Sequence, residues 1–81
     1  RTVIVTGAAT GIGQAFALAC SAQGARIVVA DMGPADETMD LIARQGGQAI
    51  CVKTDVADND STQAMAAAAL QRFGRIDGLI N

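Results

Sequence analysis

The sequence predicts an α/β domain, a doubly wound parallel sheet built in the order β-α-β-α-β-α-β. Three features of the chain lead there. Strand-like runs at Thr2–Thr6, Arg26–Asp31, Ala49–Thr54 and Ile76–Ile80 are rich in Val and Ile without polar alternation, as in strands buried on both faces. Between them lie three segments with helical spacing. A glycine-rich turn, Thr6-Gly7-Ala8-Ala9-Thr10-Gly11-Ile12-Gly13, joins the first strand directly to the first helix.

The first helix carries Ile12, Phe16, Ala19 and Cys20 at i, i+4, i+7 and i+8, one apolar stripe that is expected to face the sheet. Gly24 stands where a left-handed cap would stop it. The second helix begins after Gly33-Pro34, has acidic Asp36 and Glu37 in its first turn, buries Leu41 and Ile42, and ends at Gly46-Gly47. The third has Asp58 as its cap, Met65, Ala69 and Phe73 on one face, and Gly74 as its stop. The run Ala66–Ala69 reads as helix surface, since alanine is the best helix former. No linker, charge block or composition shift divides the chain, so residues 1–81 are read as part of one domain.

Composition narrows the function classes. The apolar fraction is 51% against 17% charged, rich for 81 residues, and suggests a part whose faces are covered by further protein. A net charge of −2 with no Tyr or Trp argues against nucleic-acid binding, because neither phosphate neutralisation nor base stacking has residues to carry it. The longest apolar stretch is far short of a membrane span, and no charged-then-apolar leader precedes Val3. Cys20 and Cys51 are widely separated and the chain has no histidine, so no zinc set is present; both cysteines are expected to be small buried hydrophobes in a reducing, cytoplasmic setting. Arg1 in place of Met reads as a trimmed start.

The glycine turn carries the chemistry. A strand turning sharply into a helix aims free backbone N–H groups and the positive end of the helix dipole at whatever lies over the turn, which favours a diphosphate. Glycine is needed because a Cβ would block the ligand and because positive φ then carries little penalty. Gly7, Ala9, Thr10, Gly11, Ile12 and Gly13 are therefore the candidate diphosphate site. Asp31 ends the second strand at the distance from the turn where a ribose-binding acid is required.

With these motifs in place, the whole chain resembles the N-terminal part of a short-chain dehydrogenase/reductase, a family of Rossmann-fold oxidoreductases. Its T-G-x-x-x-G-x-G signature is met by Thr6, Gly7, Gly11 and Gly13, and Thr10 separates the chain from the family's extended, epimerase-like branch. The resemblance implies that Asp55 and Val56, after the third strand, meet adenine through a carboxylate and a backbone N–H. It also implies that Asn81, at the end of the fourth strand, lies beside the cofactor's ribose region. The family's catalytic Ser, Tyr and Lys have no counterpart: the chain has no Tyr, and Ser21, Ser61 and Lys53 receive no catalytic role.

Asp31 points to NAD(H) over NADP(H). A carboxylate there can accept from both ribose hydroxyls but repels a 2′-phosphate, by on the order of 4 kcal/mol per charge pair at about 4 Å and an effective dielectric of 20. Thr10 and Met32 stand where NADP-preferring relatives place a cation. The expectation is hydride transfer between NAD(H) and an alcohol or carbonyl small molecule in a longer, homo-oligomeric protein, dimer or tetramer. The alternatives are a nucleotide-binding or regulatory module that stands alone, and a pseudoenzyme of full length.

Overall fold

The computed structural model describes residues 1–81. Its elements are β1 (Thr2–Thr6), α1 (Gly11–Ala22), β2 (Arg26–Asp31), α2 (Asp36–Arg44), β3 (Ala49–Lys53), α3 (Asn59–Phe73) and β4 (Gly78–Ile80). The four strands are parallel in the order β3-β2-β1-β4, with Thr2 opposite Arg26, Ile27 opposite Ala49 and Val3 opposite Gly78. This is the doubly wound order expected from the alternation of strands and helices.

The alternating side chains of each strand feed two cores. Val5, Ile27 and Val29 pack with Ala17 and Ile42 on the face covered by α1 and α2. Ile4, Val28 and Ala30 pack with Met65, Ala69 and Phe73 of α3 on the other. Because both faces of β2 are covered, Ile27, Val28 and Val29 are fully buried, which explains their unbroken apolar sequence.

The helix ends follow from local chemistry. Asp58 accepts from the N–H groups of Asp60 and Ser61, capping α3, and Gly74 closes it in the left-handed region at φ +78°. Gly24 and Gly46 stop α1 and α2 in the same way. β4 is shorter than expected, since Asp77 meets Thr2 with its backbone N–H and also accepts the Thr2 N–H through its side chain at 2.7 Å, leaving Ile76 outside the strand. β3 ends at Lys53, and buried Thr54 beyond it donates its N–H to the Asp31 carbonyl.

Two burial expectations are corrected. Of the expected stripe, Ile12, Phe16 and Ala19 do not face the sheet; all three are exposed, Ile12 at 78% and Phe16 at 49%, while Ala17 and Ser21 are buried. The phase of α1 is set by Gly13, whose missing side chain lets the first turn lie against Gly7, so the row Gly13, Ala17, Ser21 points inward. Cys51 is exposed and Cys20 half-buried. β3 is an outer strand, which leaves Cys51 less covered than a central position would. Its thiol is nonetheless raised above the ordinary range, chiefly by desolvation and then by the charges of Asp36 and Asp31, so it is not an activated nucleophile.

No helix is long and apolar enough to cross a membrane.

Candidate functional site

In a parallel sheet every strand ends at the same edge, and that edge gathers the candidate residues. The glycine loop leaves β1, Asp31 ends β2, Asp55 and Val56 follow β3, and Asn81 follows β4. The order reverses at β1, with β2 on one side and β4 on the other, the switch point where doubly wound sheets open a crevice. A cleft of about 430 Å³ lies there, lined by Thr6, Val56, Thr62, Met65, Leu79 and Asn81.

The loop's glycines have separate tasks. Gly7 and Gly11 adopt φ +63° and +61°, in the left-handed region where a side chain is strained. Gly13 has ordinary backbone angles but no room, since a Cβ would stand 2.1 Å from the Gly7 carbonyl oxygen. Thr10 precedes α1 without making a side-chain cap, and the first turn holds no acidic residue. The N–H groups of Thr10, Gly11, Ile12 and Gly13 consequently donate to no acceptor in the chain. α3, by contrast, has its first N–H groups satisfied by Asp58. Free N–H groups at a helix start, with no Cβ on two of the residues that present them, fit the diphosphate of a dinucleotide.

The loop is tied from behind. Gly7 N–H donates to the Ala30 carbonyl at 2.8 Å, continuing the β1–β2 ladder. Ala9 N–H donates to Asp31 Oδ2 at 2.9 Å, and Gly33 N–H donates to Asp31 Oδ1 at 3.0 Å. These bonds, that from Gly33 foremost and that from Ala9 next, hold the Asp31 carboxyl below the usual carboxylate range against the opposing effect of burial. Each Asp31 oxygen keeps a second lone pair, so the tie leaves acceptors for hydroxyls. Ala9 is thereby removed from the free N–H groups of the loop and placed among its supports.

The other candidates are arranged more loosely. Asp55 accepts from Ala57 N–H at 2.9 Å through Oδ1, a turn contact that leaves its second oxygen without a protein donor, and its own N–H donates to Ser61 Oγ. Val56 is exposed and its N–H has no acceptor in the chain. Thr6 Oγ1 donates to Asn81 Oδ1 at 2.9 Å, joining the ends of β1 and β4 beside the cleft. Thr38 and Gln14, which support the loop from α2 and α1, carry no sequence signal of that role, because the contact exists only once the helices are packed.

Residues 1–81 match the sequence profile described as short chain dehydrogenase. The chain belongs to the short-chain dehydrogenase family. L-rhamnose 1-dehydrogenase (NAD(P)(+)) of Azotobacter vinelandii is 47% identical, the match covering all of this chain and 34% of that protein. Glucose 1-dehydrogenase 2 of Bacillus subtilis is 38% identical over all of this chain and 33% of its own length. Among solved structures, a hydroxysteroid dehydrogenase from Escherichia coli superposes with a TM-score of 0.94 at 33% identity, covering 98% of this chain and 34% of that one. The chain thus spans about a third of the length of each of these three relatives. Dehydrogenases of this family work with nicotinamide dinucleotides, and the loop geometry fits one.

Proposed function

We propose that these 81 residues are the cofactor-binding N-terminal portion of an oxidoreductase that transfers a hydride between NAD(H) and an alcohol or carbonyl substrate. The observation that carries this reading is the set of four free N–H groups at the start of α1, with glycines at 11 and 13, next to an Ala9 N–H that is bonded to the carboxylate at the end of β2. In this reading the N–H groups of Thr10, Gly11, Ile12 and Gly13 hold the diphosphate. Asp31 accepts from the adenosine ribose. Asp55 and the Val56 N–H meet the adenine, and Asn81 supports the far ribose. Bound dinucleotide supplies the hydride-accepting or hydride-donating ring, and these residues bind and orient it at the crevice beside β4.

NAD(H) is favoured over NADP(H) because the Asp31 carboxylate, held ionised by two loop N–H groups, would meet a 2′-phosphate with like charge. The loop and strand-end positions where NADP-preferring relatives place a cation hold Thr10 and Met32, although Lys53 on β3 is the register partner of Asp31. The Tyr that short-chain dehydrogenases use as acid and base toward the substrate has no counterpart in these residues, as the chain has no Tyr. That group, the substrate pocket and any oligomer contacts are assigned to the remainder of a longer chain. The exposure of Ile12, Phe16 and Leu79, and the unpaired outer edge of β4, support such a remainder.

The experiment is a calorimetric titration of the full-length protein with NAD(H) and NADP(H), followed by an absorbance assay at the reduced nicotinamide band with sugar, steroid and aliphatic alcohols. Tighter NAD(H) binding with turnover of one class supports the reading. A preference for NADP(H) contradicts the assignment of Asp31, and dinucleotide binding without turnover of any alcohol or carbonyl supports a binding module instead.

A further inference from the structure

One peptide unit of the glycine loop is held at both ends. Its carbonyl, that of Ala8, accepts from Thr38 Oγ1 at 2.7 Å, and its N–H, that of Ala9, donates to Asp31 Oδ2 at 2.9 Å. Thr38 lies on α2 and is fully buried. Its hydroxyl also stands 3.2 Å from the Ala9 carbonyl and accepts from Gln14 Nε2 at 3.0 Å, so α1, α2 and the loop meet at a single oxygen. A buried hydroxyl is unfavourable unless it is bonded, and here its donor and acceptor capacities are both used.

The position of this contact matters more than its strength. The Ala8–Ala9 peptide unit immediately precedes Thr10, the first of the four residues whose N–H groups have no acceptor in the chain. A peptide plane anchored at carbonyl and amide cannot rotate without breaking both bonds. Rotation of that plane would change the backbone angles on either side of it and redirect the N–H groups that follow. Without the hydroxyl, a carbonyl at the buried end of the loop would lack a donor and the plane would be held only by Asp31.

We propose that Thr38 is a positioning residue for the diphosphate cradle, acting through the Ala8–Ala9 peptide unit rather than by touching the ligand. The proposal rests on the dinucleotide reading above. It makes α2 part of the binding machinery: the hydroxyl fixes the loop from the side opposite to Asp31, and the two together define the cradle's shape before ligand arrives. Binding then carries less ordering cost, which is how a rigid first contact raises affinity.

The test compares the full-length wild type with Thr38→Val and Thr38→Ser, using calorimetric binding of ADP-ribose, which contains the diphosphate, and adenosine, which does not. Thr38→Val is expected to weaken ADP-ribose binding roughly tenfold, to leave adenosine binding near its wild-type value, and to be rescued by Thr38→Ser. Thr38→Ala, which removes the hydroxyl with less crowding, carries the same expectation and serves if the valine variant does not fold. Unchanged ADP-ribose affinity without the hydroxyl, or an equal loss for both ligands, overturns the proposal while leaving the dinucleotide reading intact. A wild type that binds neither ligand overturns both.

Discussion

Replacing Gly13 by alanine strikes the loop at its tightest contact. The new Cβ would lie 2.1 Å from the Gly7 carbonyl oxygen, 2.7 Å from the Gly7 carbonyl carbon and 3.1 Å from Ala8 Cα. All three are backbone atoms, so no rotamer change relieves the overlap, and the loop must move away from α1 by roughly an ångström. Overpacking of this kind costs about 1–3 kcal/mol. At about 2–4 °C per kcal/mol in a domain of roughly 150–250 residues, the thermal midpoint should fall by several degrees. The loss of binding should be of similar size, because a displacement of about 1 Å at a positioned site costs on the order of 100-fold, about 2.8 kcal/mol. Gly11→Ala offers a contrast: its Cβ meets nothing within 4 Å, but φ is +61°, so the cost is strain of about 1–2 kcal/mol without a clash. Titration calorimetry with NAD⁺ and thermal denaturation of both variants in the full-length protein check the account. A Gly13→Ala protein with an unaltered midpoint and an NAD⁺ affinity within about threefold of wild type would refute the packing argument.

Asp31→Ala should weaken NAD(H) and narrow the gap to NADP(H) without making NADP(H) as tight as wild-type NAD(H), because the Ala9 N–H loses its acceptor too; competitive titration with the two cofactors measures this. The same carboxyl gives a pH signature. Its folded pKa is lowered, so its stabilising contribution is fully present above the ordinary carboxylate value of about 4 and is lost as pH falls through the lowered value. Urea midpoints of wild type and Asp31→Asn should therefore stay separated from pH 8 to 5 and converge below about pH 4. Asp58→Ala should cost about 1 kcal/mol by removing the α3 cap, read from denaturant midpoints, with NAD⁺ affinity unchanged.

The sheet was legible because buried parallel strands write themselves as Val and Ile runs, and the sheet order follows from the doubly wound pattern. The stops at Gly24, Gly46 and Gly74 and the Asp58 cap were legible for a similar reason, since each depends on one residue's own conformational preference. The orientation of α1 was not. Hydropathy selects its large apolar residues, Ile12 and Phe16, whereas the inward row is set one residue later by the space that Gly13 frees. One residue is about 100° of helix rotation, enough to exchange a buried face for an exposed one. At the candidate site, Gly7, Gly11, Gly13 and Asp31 announced themselves by spacing. The support from Thr38 and Gln14 could not, because it joins residues 24 positions apart that meet only after α1 and α2 have packed.

The free amides at the start of α1 can be examined directly. In a crystal structure of the full-length protein with NAD⁺, diphosphate oxygens should lie about 3 Å from at least two of the N–H groups of Thr10, Gly11, Ile12 and Gly13, with Asp31 against the adenosine ribose. A dinucleotide seated elsewhere, or one whose diphosphate is held by side chains while those N–H groups face solvent, would contradict the account.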